Sequence, residues 1–378
     1  MKMKTIAWVL LTAIQALTNE PVLADFGIQP VVTTSKTMGT AESVALSNGH
    51  LFAGCRGSGL RILDISNTIF PADISGYDLA AGLSHFEFSL TGHLACIFAD
   101  SNLVIVDIRE PNHPHEIGHL YLNYAARGVI AKGNHVFVIG AHSLFSIDIS
   151  DPTQPRIATW RFFQNTPLSI GLRNHLLVMT QYHGVTIFDV SNPDSLNILG
   201  QRDIEELQSS YQITFKDNFA LIAAYNLGLM VLDISDPTHL EAPHFFQENA
   251  NYSLVGVTVK NNRAFISNHV QSEDQNWGLL QVADISDPMN PRILSSTRVQ
   301  YTAWDTAVMD TTVYLAAHYD GVIVYNLVDD STLTRKFSTS SFVLQDVAVS
   351  GNTAFVHQLD FGITTLNVSE PASPFILD

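Results

Sequence analysis

Histidines and carboxylates return at matching places along this 378-residue chain. His142, His183, His269, His318 and His357 each close a short apolar segment, and Asp305, Asp320 and Asp346 stand beside the same segments. Neutral imidazole and carboxylate together suit zinc, copper, iron or manganese. Such a set would serve a metal-dependent hydrolase or lyase, with a divalent metal as its cofactor. No two of these histidines have the spacing of a known zinc signature. A second group mixes charge with flat rings: Glu42, Arg56, His85, Arg127, Tyr211, Tyr225, Trp304, Asp305 and Asp346. Flat anchors with orienting charges suit a surface for a protein, glycan or small molecule. The plainest alternative is an inert lining, in which rings and imidazoles plug a channel and bond one another.

Both groups acquire positions from an internal repeat. The phrase at residues 103–108 (LVIVDI) returns at 60–65 (LRILDI), 144–149 (LFSIDI), 185–190 (VTIFDV) and 229–234 (LMVLDI). Looser copies lie at 280–285, 322–327 and 363–368. Asp64, Asp107, Asp148, Asp189, Asp233, Asp284, Asn326 and Asn367 anchor the eight copies, in steps of 41 to 51 residues. A near-constant step of this size marks a repeat architecture.

Each copy reads as four short strands joined by tight turns. In the last copy, alternation at 347–349 meets the turn Ser350-Gly351-Asn352, and strands follow at 354–357, 363–368 and 374–377. Turns such as Ser150-Asp151-Pro152 and Ser235-Asp236-Pro237 close the third strand. The anchor Asp is best placed to cap that turn. Four-stranded sheets repeated radially are propeller blades, so the expectation is an all-β, eight-bladed β-propeller of four-stranded antiparallel blades. An open ring would leave edges unpaired, so the strand at 28–35 (IQPVVTTS) is expected to pair onto the final blade. First strands would line the axis. The segments entering them, and the links between second and third strands, would share one mouth.

The first 24 residues read differently. Lys2 and Lys4 precede an apolar core at 5–17, and Val22-Leu23-Ala24 supplies small residues for cleavage. Residues 1–24 are therefore expected to be a signal peptide and 25–378 a single propeller domain outside the cytoplasm, with no integral membrane segment once the signal is removed. Net charge is −17, from 19 basic and 36 acidic residues, which excludes a phosphate backbone as partner. Cys55 and Cys96 are the only cysteines and are expected to be buried free thiols.

The run Leu103-Val104-Ile105-Val106-Asp107 resembles the signature of the LVIVD-repeat family. That resemblance implies an exported or cell-surface bacterial β-propeller, periplasmic or secreted, of unassigned activity. It supplies no catalytic motif. Copies six to eight depart from it, with Ala283 before the Asp and Asn326 and Asn367 in its place. GxSxG, P-loop and HExxH patterns are absent from the chain, and His113, His115 and His119 read as a solvated loop. The functional expectation is an exported binding or scaffolding protein with its site at the channel mouth. A metal-dependent enzyme and a purely structural surface protein are the alternatives.

Overall fold

The computed structural model describes residues 40–378 except 57, 67–71, 80–85, 100, 124–125, 141, 271–276, 319, 339–343, 351–352, 359–361, 368–374 and 377–378. Eight sheets form, each of four successive antiparallel strands in sequence order. Seven make up the compact unit Met38–Ser340. Numbered as blades 1 to 7, they span residues 40–77, 86–121, 126–162, 167–203, 213–246, 252–299 and 305–338.

A lone blade cannot hide both apolar faces, so its stability lies in its neighbours. Seven buried clusters appear among the described residues, each shared by two neighbouring blades. Six join consecutive blades. The seventh joins Tyr314, Ala316, Val322 and Val324 of blade 7 to Val44, Leu51, Ala53 and Cys55 of blade 1. Fully burying each large side chain in these clusters contributes roughly 1.5–3 kcal/mol.

This last cluster corrects the expected count. The molecule is a seven-bladed propeller, not an eight-bladed one, because blade 7 packs directly on blade 1. The eighth repeat does fold as a four-stranded sheet: Leu344–Ser350, Thr353–Gln358, Gly362–Asn367 and Phe375–Ile376. It falls in the other compact unit. Side-chain size gives the physical reason. At the position where blades 2 to 7 turn Ile97, Val138, Met179, Ile222, Ile266 and Leu315 toward the preceding blade, blade 1 has only Ala53. Blade 7 supplies Tyr314, fully buried, at the facing position. A large ring meets the smallest partner, as close packing requires.

The backbone closes the ring the same way. Tyr225 of blade 5 exchanges two hydrogen bonds with Leu254 of blade 6, both 3.1 Å. His318 of blade 7 makes the same exchange with Ala41 of blade 1, also at 3.1 Å in each direction. Blade 7 therefore treats blade 1 as blade 5 treats blade 6. No strand is shared between first and last blades of the ring, and the expected closing strand at 28–35 lies outside the described residues.

The opposite face is built from the Ser-Asp-Pro turns. Asp64, Asp148, Asp189, Asp233 and Asp284 each accept from the amide two residues on, at 2.7–2.9 Å. Asp107 does so with Arg109 at 2.9 Å. The anchor residue is thus a turn cap, as its position suggests. The turns of blades 3 and 5 then lean on the outer strand of the blade before them. A Cβ on Gly118 would meet Pro152 O at 2.2 Å, and one on Gly200 would meet Pro237 O at 2.1 Å. Both cysteines are free and buried, as expected.

Two changes test the closure. Ending the chain at Ser340 should leave a cooperatively unfolding β protein, with Tm within about 5 °C of the full chain. Ala53→Leu should overpack the interface of blades 7 and 1 and destabilise by about 1–3 kcal/mol in denaturant unfolding. A full chain insensitive to Ala53→Leu but unfolded by the truncation would reverse the assignment of the closing blade.

Candidate functional site

First strands of successive blades pack side by side around the axis. Each is the inner edge of its sheet, so half its backbone groups have no partner within the blade. Side chains of the preceding blade satisfy several. Asp305 Oδ2 accepts from Val44 N at 3.1 Å, Gln212 Oε1 from Val257 N at 2.7 Å, and Ser89 Oγ from Ala131 N at 2.9 Å. Ser169 Oγ donates to Tyr211 O at 3.0 Å and Thr258 Oγ1 to Thr306 O at 2.7 Å. Polar residues on an axial strand are needed for this alone.

At one end of these strands the ladder is broken by β-bulges. Register shifts place Glu42 of blade 1, Arg127 of blade 3, Leu168 of blade 4 and Val255 of blade 6 in these bulges. In blade 5, Tyr211 and Gln212 both bond Ala223; in blade 7, Trp304 donates to Ala316 O beside the Asp305–Ala316 pair. Bulges re-aim side chains, and here they turn them out of the ladder at one mouth. The adjoining links between second and third strands hold His142, His183, Tyr225 and His318 at φ 69°, 60°, 49° and 53°. Such left-handed positions ordinarily go to Gly, Asn or Asp.

Blades 5 and 7 bring their rings together across blade 6. Tyr211 lies 5.5 Å from Tyr225 and 6.2 Å from Trp304, and Trp304 lies 6.4 Å from His318. Gly256 of blade 6 admits the Trp304 backbone, since a Cβ there would meet Trp304 O at 2.2 Å. Tyr211 keeps 46% exposure, while Trp304 Nε1 is buried with no hydrogen-bond partner in the described structure. Exposed Arg127 of blade 3 exerts its charge at Tyr211.

Carboxylates adjoin these residues in the chain and in the axial strands. Gln212 Nε2 donates to Asp305 Oδ1 at 2.9 Å, and Thr306 N donates to the same oxygen at 2.7 Å. Burial nonetheless pushes Asp305 up to about 6, against those hydrogen bonds. Glu87 of blade 2 is pushed up to about 8, first by burial, then by Asp305 and Glu42. Glu42, Glu87 and Asp305 therefore share one electrostatic neighbourhood, drawn from blades 1, 2 and 7.

The candidate metal ligands are placed apart. His142 stacks on Phe162 of its own blade at 5.9 Å. His183 bonds Glu205 O at 2.5 Å, and His269 bonds Thr302 at 2.9 Å, its burial lowering its pKa. Among the described residues, no group of three or more His, Cys, Asp or Glu is placed to hold a metal ion. Asp346 pairs with His357 across strands of the eighth sheet, outside the ring's unit. His85 lies outside the described residues, and Arg56 ends the second strand of blade 1 with its side chain undescribed. Glu87 and Gln212 were not found from the sequence. Their signal was a polar residue flanked by apolar ones in an axial strand, as in Phe86-Glu87-Phe88.

The raised carboxyls fix a pH dependence. A carboxyl whose folded pKa lies above its unfolded value favours folding while protonated, and that stability is lost as pH rises through the folded pKa. Glu87→Gln should therefore raise Tm relative to wild type at about pH 9 by several degrees, and change it little near pH 5. An equal shift at both pH values in thermal unfolding would contradict the burial-driven ionisation.

Similarity to known proteins agrees with this architecture. The LVIVD repeat model matches residues 38–78, 87–121, 125–159, 209–242 and 344–377. No curated protein sequence matches the chain. Among solved structures, the computationally designed Ika8 protein is 14% identical at TM-score 0.58, covering 87% of this chain and 96% of its own. A Lactobacillus plantarum protein is 10% identical at TM-score 0.61, with 80% and 95% covered. Saccharomyces cerevisiae Sqt1 is 8% identical at TM-score 0.58, with 90% and 96% covered. These identities speak for the fold alone. Repeat signature, blade geometry and turn caps agree, and the chain is an LVIVD-repeat protein.

Proposed function

We propose that this protein is an exported binding module whose ligand or partner docks at the bulged mouth of the seven-bladed ring. A β-propeller repeat protein fits a binding or scaffolding role. One observation carries the finer reading: rings from non-adjacent blades 5 and 7 meet at one mouth, next in the chain to Gln212 and Asp305, and one of them, Tyr211, is 46% exposed. A lining that only filled space would bury its rings. The metal-dependent alternative has no comparable support, because the described histidines bond or stack separately. Residues 1–24 are the export signal in this reading, and no helix among the described residues is long and apolar enough to cross a membrane.

Thermal-shift screening against amines, sugars and short peptides tests the mouth. A ligand at about 100 times its Kd adds about 2.7 kcal/mol of stability, enough for a clear rise in Tm. That rise should disappear in Tyr211→Ala and persist in Trp160→Ala, which alters an exposed outer-strand ring. No shift with any compound, or a shift indifferent to Tyr211→Ala, would remove the mouth as the site. Sequencing of the mature N-terminus tests export, with Asp25 expected as first residue.

A further inference from the structure

Resting on that reading of the mouth, we infer that its ligand is an organic ammonium carrying an oxygen acceptor, held against the Tyr211, Tyr225 and Trp304 rings beside Asp305.

Three features converge on this class. Aromatic faces attract cations through the ring quadrupole, Trp most strongly, and two or three rings at one place make a cage. Tyr211 touches both Tyr225 and Trp304, at 5.5 and 6.2 Å between centroids. The chain then places Asp305 next to Trp304, with Glu42 and Glu87 in the same electrostatic neighbourhood. Asp305, raised only to about 6, is the member of that group ionised at neutral pH, so a cation at the rings would have one carboxylate beside them, against the single positive charge that Arg127 brings to Tyr211. The unpartnered Nε1–H of Trp304 adds a donor at the same place, suited to a hydroxyl or carboxylate oxygen on the ligand.

Asp305 also argues against a metal ion here. Its Oδ1 accepts from Gln212 and its own blade's Thr306 amide, and its Oδ2 accepts from Val44. Lone pairs committed to backbone and amide partners leave a charge, not a ligand set. An organic cation needs only the charge and the faces. The wider field points the same way, since a net charge of −17 steers cations toward the molecule.

Titration calorimetry on the full chain tests the inference with choline, tetramethylammonium and 3,3-dimethylbutan-1-ol, which has choline's shape without its charge. Choline should bind roughly tenfold more tightly than the neutral alcohol, with tetramethylammonium between them for want of the oxygen. Trp304→Leu should abolish the preference, Trp304→Phe should keep part of it, and Trp160→Leu should leave it intact. Circular dichroism of each variant shows whether the ring remains folded. Equal binding of choline and the alcohol overturns the ammonium class. So does saturable binding of neutral sugars or peptides at the mouth with none of the ammonium probes; either result leaves the mouth itself as a binding site. If nothing in either panel binds, both readings fail.

Discussion

Every blade of this ring depends on a neighbour for its second apolar face, and that single dependence decides the architecture. A four-stranded sheet of this size cannot bury itself, so seven clusters between blades do what one core does elsewhere. Closure is then a question of which two faces fit. Tyr314 against Ala53 and Cys55 is a match of volumes between repeats about 260 positions apart, and no local preference encodes it. The exchange between His318 and Ala41 repeats the Tyr225–Leu254 exchange, so the closing interface follows the rule of an internal one.

Packing blades around an axis exposes seven inner edges to one another, and their backbone groups must be bonded. Blade 7 meets the need with Asp305, blade 5 with Gln212, blade 2 with Ser89. Functional character emerges from this structural duty. The residue that satisfies Val44 N is also a buried carboxyl next to a tryptophan, and the amide that satisfies Val257 N also grips that carboxyl. Bulges then interrupt the pairing at one mouth and re-aim the side chains there.

Much of this could be read from residue order. The anchor aspartates and the Ser-Asp-Pro turns give the four-stranded unit, because turn chemistry is local. Glu42 and Arg127, singled out by residue type, both fall at β-bulges of axial strands, in blades 1 and 3. Histidines at 142, 183 and 318 were noticed as an unusual column, and they occupy left-handed turns. Blade number was misread because all eight copies carry the same local signals, and each does fold as a sheet. What separates the eighth is tertiary. Glu87 and Gln212 escaped for a related reason, since their roles require knowing which edge faces the axis.

Symmetry supplies the last step. At one axial position the blades carry Ser43, Glu87, Gly128, Ser169, Gln212, Gly256 and Asp305 in turn. A ring selected only to stay closed could repeat one residue there, as it repeats the turn caps almost unchanged on the opposite face. Instead the small residues fall in blades 1, 3, 4 and 6, the charge in blades 2 and 7, and aromatic residues immediately before this position in blades 2, 5 and 7. Gly256 sits between blades 5 and 7, where a Cβ would collide with Trp304 O. The pseudo-symmetry is therefore broken at the axis and kept in the turns of the opposite face, because the caps answer to one local turn while each axial residue answers to different neighbours.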